Sequence, residues 1–103
     1  MSSARYERLV LIKLDSGAAT DAGRKAVAEE TRRVFPTIPG VRSITVMEVG
    51  EGDQASWDLC LKVGFDSLDD VPAYRVHPIH VEYVEQFLKP QLDCLKAWNF
   101  GPV

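Results

Sequence analysis

From Trp57 to Phe65 the chain alternates without a break: Trp57, Leu59, Leu61, Val63 and Phe65 are separated by Asp58, Cys60, Lys62 and Gly64. Successive side chains of a strand point to opposite faces, so this order makes a strand with one apolar face. Such a face has to be covered, and the chain is therefore committed to a sheet with a buried side. Three other segments fit the same sheet. Leu9-Val10-Leu11-Ile12-Lys13-Leu14 is a short apolar run closed by Asp15-Ser16-Gly17. Val41 to Val49 is rich in β-branched residues and is followed by Gly50-Glu51-Gly52-Asp53-Gln54, a flexible polar hairpin turn. Leu92 to Phe100, with Leu95, Trp98 and Phe100, is the expected last strand.

Helical spacing fills the gaps between these strands. Thr20 or Asp21 can cap a helix in which Val27, Thr31, Val34 and Phe35 share one side while Glu29, Arg32 and Arg33 lie opposite. Pro36-Thr37-Ile38-Pro39-Gly40 ends it. Ser67-Leu68-Asp69-Asp70 opens a second helix with a capping serine and early acids, and a further stretch starts at Pro78 and ends near Lys89-Pro90. The order strand, helix, strand, strand, helix, strand is the α+β, ferredoxin-like βαββαβ plan: a four-stranded antiparallel sheet with helices on one face. The other face needs cover too, and a second copy related by two-fold symmetry supplies it, so a homodimer is expected. At 103 residues the chain is one domain, placed at residues 6–103 after a flexible N-terminus of residues 1–5.

Charge and composition remove several function classes. Twelve basic against 15 acidic residues give a formal charge of −3, which lacks the basic footprint of a nucleic-acid binder. No apolar run approaches the roughly 20 residues that cross a bilayer, and Met1 to Arg8 is too polar for a secretion signal, so no membrane partner and a cytoplasmic location are expected. Cys60 and Cys94 stand 34 positions apart without a CxxC, which suits buried free thiols rather than a zinc site or a disulfide framework.

The densest group of chemically capable side chains is Tyr74-Arg75-Val76-His77-Pro78-Ile79-His80-Val81-Glu82-Tyr83. With Ile79 at zero and ~100° per residue, Tyr83, Phe87, His80, Val84 and Leu88 fall at roughly 40, 80, 100, 140 and 180°. His80 thus sits within the apolar arc, where its ring nitrogens are either satisfied locally or face a cavity. A kink at Pro78 would let Tyr74 converge with His80 on one space. His77, just before the proline, suits the start of the following helix and is also a candidate contact to that space. His77 and His80 lack the third and fourth ligands of a zinc site, and there is no GxSxG nucleophile or phosphate-binding glycine loop. Arg8 shares a strand face with Val10 and Ile12, where it is either an exposed strand-end charge or a guanidinium at the rim of the same space, suited to a carboxylate. Leu61 and Val63 share the corresponding face of their own strand, and Arg24 is expected to snorkel toward the rim.

Together, Leu9 to Leu14, Ile38-Pro39-Gly40-Val41, Phe65-Asp66-Ser67-Leu68 and above all Tyr74-x-x-His77-Pro78-Ile79-His80-Val81 resemble the stress-responsive dimeric α/β-barrel (Dabb) family, from about Tyr6 to Phe100. The resemblance implies a ferredoxin-like protomer whose sheet pairs with a second copy to form a barrel. It also implies roles, because a plant member closes a linear polyketide by aldol chemistry with a helix tyrosine and histidine that match Tyr74 and His80. That enzyme's other histidine falls at Arg8, whose permanent charge cannot exchange a proton and would instead hold an acidic substrate.

The expected function is general acid–base chemistry on a carbonyl or aromatic, polyketide-like compound. His80 and Tyr74 would be catalytic, and Arg8, Val10, Ile12, Leu61, His77, Val81 and Tyr83 would contact a small hydrophobic or aromatic acid. No metal or other cofactor is called for. A binding protein without turnover and a purely structural dimer are the two other readings.

Overall fold

The computed structural model describes residues 5–48, 50 and 57–103. The N-terminal tail Met1 to Ala4 and all but Gly50 of the turn expected at Gly50 to Gln54 lie outside those residues. Four strands, β1 (Tyr6–Leu14), β2 (Ser43–Glu48), β3 (Leu59–Phe65) and β4 (Leu92–Phe100), form one antiparallel sheet in the order β2-β3-β1-β4. This is the expected ferredoxin-like α+β fold. β1 starts ahead of its apolar run because Tyr6, Glu7 and Arg8 already pair with Phe65, Gly64 and Val63.

The register decides what each face carries. Arg8 lies between Val63 and Asn99, Val10 between Leu61 and Ala97, and Ile12 between Leu59 and Leu95. Alternation puts all of these on the helix-covered side, where Ile12, Val63 and Phe65 are wholly excluded from solvent. Burying one such side chain contributes about 1.5–3 kcal/mol, so the face carries most of the stabilising burial. The opposite face is not covered by any described element: Leu9 sits beside Trp98 and Leu11 beside Cys60, while Met47, Trp98 and Phe100 are exposed. Cys60 is half-buried there, its thiol pushed up by burial, and Cys94 is exposed on the edge strand rather than buried as expected.

Helix α1 (Asp21–Val34) begins where Thr20 Oγ1 accepts from the Gly23 amide at 2.9 Å. Gly23 is required by close approach, since a Cβ there would lie 1.9 Å from the Ala18 carbonyl oxygen. Val27, Ala28 and Thr31 form the buried stripe of α1, and a 3₁₀ turn over Phe35–Thr37 closes it at Pro36.

The second helical region is more broken than its periodicity suggests. Ser67 opens only a tight turn, its hydroxyl accepting from the Asp69 amide, and α2 itself spans Asp70–Val76. His77 then becomes extended (φ −63°, ψ 137°), as the residue before a proline prefers, and α3 runs Pro78–Glu82. Tyr83–Leu88 continues it as a π-helix, and Lys89–Gln91 ends in a 3₁₀ turn at Pro90. Among the described residues no helix is long and apolar enough to cross a membrane.

Candidate active site

The interruption at His77 redirects the chain between Tyr74 and His80, and the two rings meet with centroids 4.4 Å apart. Their orientation is held from several sides. Phe65 packs edge-on to Tyr74 at 5.1 Å, and Phe35 meets Tyr74 and His80 at 6.1 Å each and Tyr83 at 5.0 Å. Such edge-to-face contacts fix ring planes as well as burying area.

Beside this cluster lies a cavity of about 200 Å³ between sheet and helices. Its floor comes from Val10, Ile12 and Leu61, with Leu95 and Ala97 of β4, and its roof from Tyr74, Tyr83, Val84 and Leu88. Arg8, Arg75 and His80 complete the wall, and because Arg75 and Leu95 are exposed the cavity opens along β4. A larger depression of about 400 Å³ lies outside the helices, among Glu30, Arg33, Glu82 and Phe87. It gathers none of the histidines, so the smaller cavity is the chemical candidate. Among the described residues no three His, Cys, Asp or Glu side chains gather as a metal site.

Hydrogen bonding assigns the protonation of His80. Its Nδ1 lies 3.0 Å from the Arg75 carbonyl oxygen, which can only accept, so Nδ1 carries the proton and the neutral ring presents the Nε2 lone pair. Burial holds His80 below its ordinary 6.5; the Arg75 carbonyl opposes the shift, and the charges of Arg8 and Arg75 add to it. At neutral pH the ring is therefore a free base.

The two tyrosines differ in their bonding. Thr31 Oγ1 donates to the Val27 carbonyl at 2.7 Å, so the Tyr83 hydroxyl is the donor in its 2.5 Å bond to Thr31. Burial pushes Tyr83 up to about 12. Tyr74 is almost wholly excluded from solvent, yet among the described residues its hydroxyl has no hydrogen-bond partner. No fully buried side-chain polar atom among them lacks a partner, so this hydroxyl retains exposure, and the cavity it lines provides it. Burial raises Tyr74 far above its ordinary 10, with the nearby Arg8 charge opposing, so it stays protonated and can donate.

Arg8 is half-buried and donates from Nη1 to Asn99 Oδ1 at 3.0 Å. Burial lowers it from its ordinary 12.5.

The sequence candidates separate accordingly. His80, Tyr74, Arg8, Val10, Ile12, Leu61 and Tyr83 converge on the cavity. His77 does not line it, because its Nδ1 accepts the Ile79 amide at 3.1 Å and caps α3. Val81 also stays outside, turned to solvent on the far side of α3. Arg24 is nowhere near the rim: it pairs with Asp58 at 3.1 Å and Asp21 at 2.6 Å, while Asp58 accepts from the Leu14 amide. That end of β1 is six residues, about 20 Å, from Arg8. Arg75, Leu95, Ala97 and Asn99 are lining or supporting residues that the sequence reading missed. The alternation of β4 against Arg8, Val10 and Ile12 was the available signal for three of them.

The profile of the Dabb family, the stress responsive A/B barrel domain, matches residues 7–99. Among solved structures, a Dabb family protein with a ferredoxin-like fold from Mesorhizobium loti is 16% identical over 95% of this chain and 96% of its own, with a TM-score of 0.80. A dimeric protein of unknown function with a ferredoxin-like fold from Bacteroides fragilis is 24% identical over 94% and 95%, at 0.74. Hydroxynitrile lyase from Passiflora edulis is 12% identical over 95% and 93%, at 0.76. No curated protein matches the chain. Structural likeness at these identities extends to the fold alone.

Proposed function

The chain belongs to the stress responsive A/B barrel domain family, and from that premise we propose that it is a homodimeric enzyme doing general acid–base chemistry on a small carbonyl compound that carries an acidic group. The observation that carries the reading is the His80 ring, fixed through Nδ1 to a backbone carbonyl so that Nε2 is left as the free base, with the Tyr74 ring 4.4 Å away on the same cavity. His80 Nε2 takes a proton from carbon next to the carbonyl, and Tyr74 donates a hydrogen bond to the oxygen as enolate charge develops. Arg8 holds the acidic group, and the apolar floor of Val10, Ile12 and Leu61 receives the hydrocarbon body. The homodimer is supported by the uncovered sheet face with Leu9, Trp98 and Phe100, and by the description of the Bacteroides fragilis relative as dimeric.

The test is proton exchange. 4-Oxo-4-phenylbutanoate carries a carboxylate, an aryl ring and slowly exchanging C–H groups beside its ketone. In D₂O, exchange at that carbon is expected to be accelerated by the wild-type protein and lost in His80→Gln. Undiminished exchange in the variant contradicts the base assignment, and binding without exchange in the wild type favours a carrier of small acids.

A further inference from the structure

Two guanidinium groups, not one, stand at the cavity. Arg75 lies near the end of α2 and lines the same wall as Arg8, close enough that its charge acts on Arg8, Tyr74 and His80. Arg24, Arg33 and Arg42 each face a carboxylate, at 3.1, 2.6 and 3.4 Å. Among the described residues Arg5, Arg8, Arg32 and Arg75 have none, and of these Arg8 and Arg75 alone line the cavity: Arg8 meets only the neutral Asn99 amide, and Arg75 has no side-chain partner. Two cations beside an apolar cavity repel each other, and the chain has acids to spare, 15 against 12 bases. An anion held between them relieves that repulsion.

We infer that Arg75 is a specificity-determining residue which, with Arg8, clamps the carboxylate of an amphipathic acid whose apolar body fills the cavity. The inference rests on the reading of the cavity as a substrate site and names which substrates enter it. A carboxylate fits better than an uncharged polar head, because planar guanidinium forks present paired N–H donors to its two oxygens. The cavity behind them is walled by Val10, Leu61, Leu88, Leu95 and Ala97, so a short aryl or alkyl chain is the matching body. Arg75 is exposed, which leaves its side chain free to swing over an entering headgroup.

Calorimetric titration of 4-oxo-4-phenylbutanoate and of its uncharged amide into wild-type protein, Arg75→Gln and His80→Gln tests the clamp. The wild type is expected to bind the acid roughly tenfold more tightly than the amide. Arg75→Gln should lose most of that preference by weakening the acid alone, whereas a merely structural role would weaken both ligands. The preference should also fall as salt is raised. An unchanged preference in Arg75→Gln overturns the inference, and so does failure of the wild type to bind either probe. His80→Gln keeps this outcome apart from the catalytic one: it should retain the acid preference while losing proton exchange. Exchange that survives in His80→Gln refutes the base and leaves the clamp standing.

Discussion

Removing the hydroxyl of Tyr74 and that of Tyr83 should have opposite effects on stability. Both rings line the cavity and both are buried, so Tyr→Phe leaves ring packing in place and isolates one oxygen. Tyr83→Phe deletes a buried 2.5 Å bond to Thr31, while Thr31 keeps its own bond to the Val27 carbonyl. No donor is orphaned, and the loss should be about 1–1.5 kcal/mol. Tyr74→Phe deletes a hydroxyl that has no partner among the described residues. Removing a poorly satisfied polar group from apolar surroundings should change stability by between zero and about 1 kcal/mol in the favourable direction. Urea unfolding at one fixed protomer concentration reads both values, since the stability of a dimer depends on concentration. The same Tyr74→Phe sample should lose roughly 100-fold in proton exchange. If Tyr74→Phe is destabilised by as much as Tyr83→Phe, its hydroxyl is a structural bond and the donor role assigned to it is wrong.

Asp58 is 3% exposed and serves both the Leu14 amide and Arg24, so Asp58→Ala should cost about 3 kcal/mol, with Asp58→Asn near half of that because it keeps an acceptor; urea midpoints check this. Because the folded-state pKa of His80 is lowered, the native state binds fewer protons than the unfolded chain just below pH 6.5. His80's contribution to stability is therefore present above that pH and declines as pH falls through it, and a wild-type-minus-His80→Gln unfolding profile should show that slope. An equal slope in both proteins would remove His80 from the acid response. Trp98→Glu puts a charge on the uncovered sheet face and should sediment as a monomer at micromolar concentration, where the wild type is expected to sediment as a dimer.

Much of this architecture was legible because it depends on period. The alternation through Leu59, Leu61, Val63 and Phe65 placed β3 and its buried face, and Leu92 to Phe100 is β4 to the residue. The convergence of Tyr74 with His80 followed from Pro78. What escaped depends on local bonds that periodicity does not encode. Helix α2 starts after Ser67 because a tight turn precedes it, and the π-helical segment splits the apolar arc. Ile79 and Phe87 serve the outer depression, Val84 and Leu88 the cavity, and Tyr83 touches both. Arg24 was misplaced because helix phase gives a direction but not a position along the sheet; the buried carboxylate of Asp58 determines where it binds. His77 became a cap through its ring nitrogen, a role its spacing from His80 does not distinguish from a cavity contact.

The acid–base chemistry proposed for the cavity depends on His80 Nε2 carrying a lone pair. Long-range ¹H–¹⁵N correlation spectra of ¹⁵N-histidine-labelled protein, recorded across a pH titration, observe that nitrogen directly. The expected result is the tautomer protonated at Nδ1, with a midpoint below 6.5 that shifts when the acid probe binds. A ring protonated at Nε2 near neutral pH, or a midpoint above 6.5, would leave the cavity without its base.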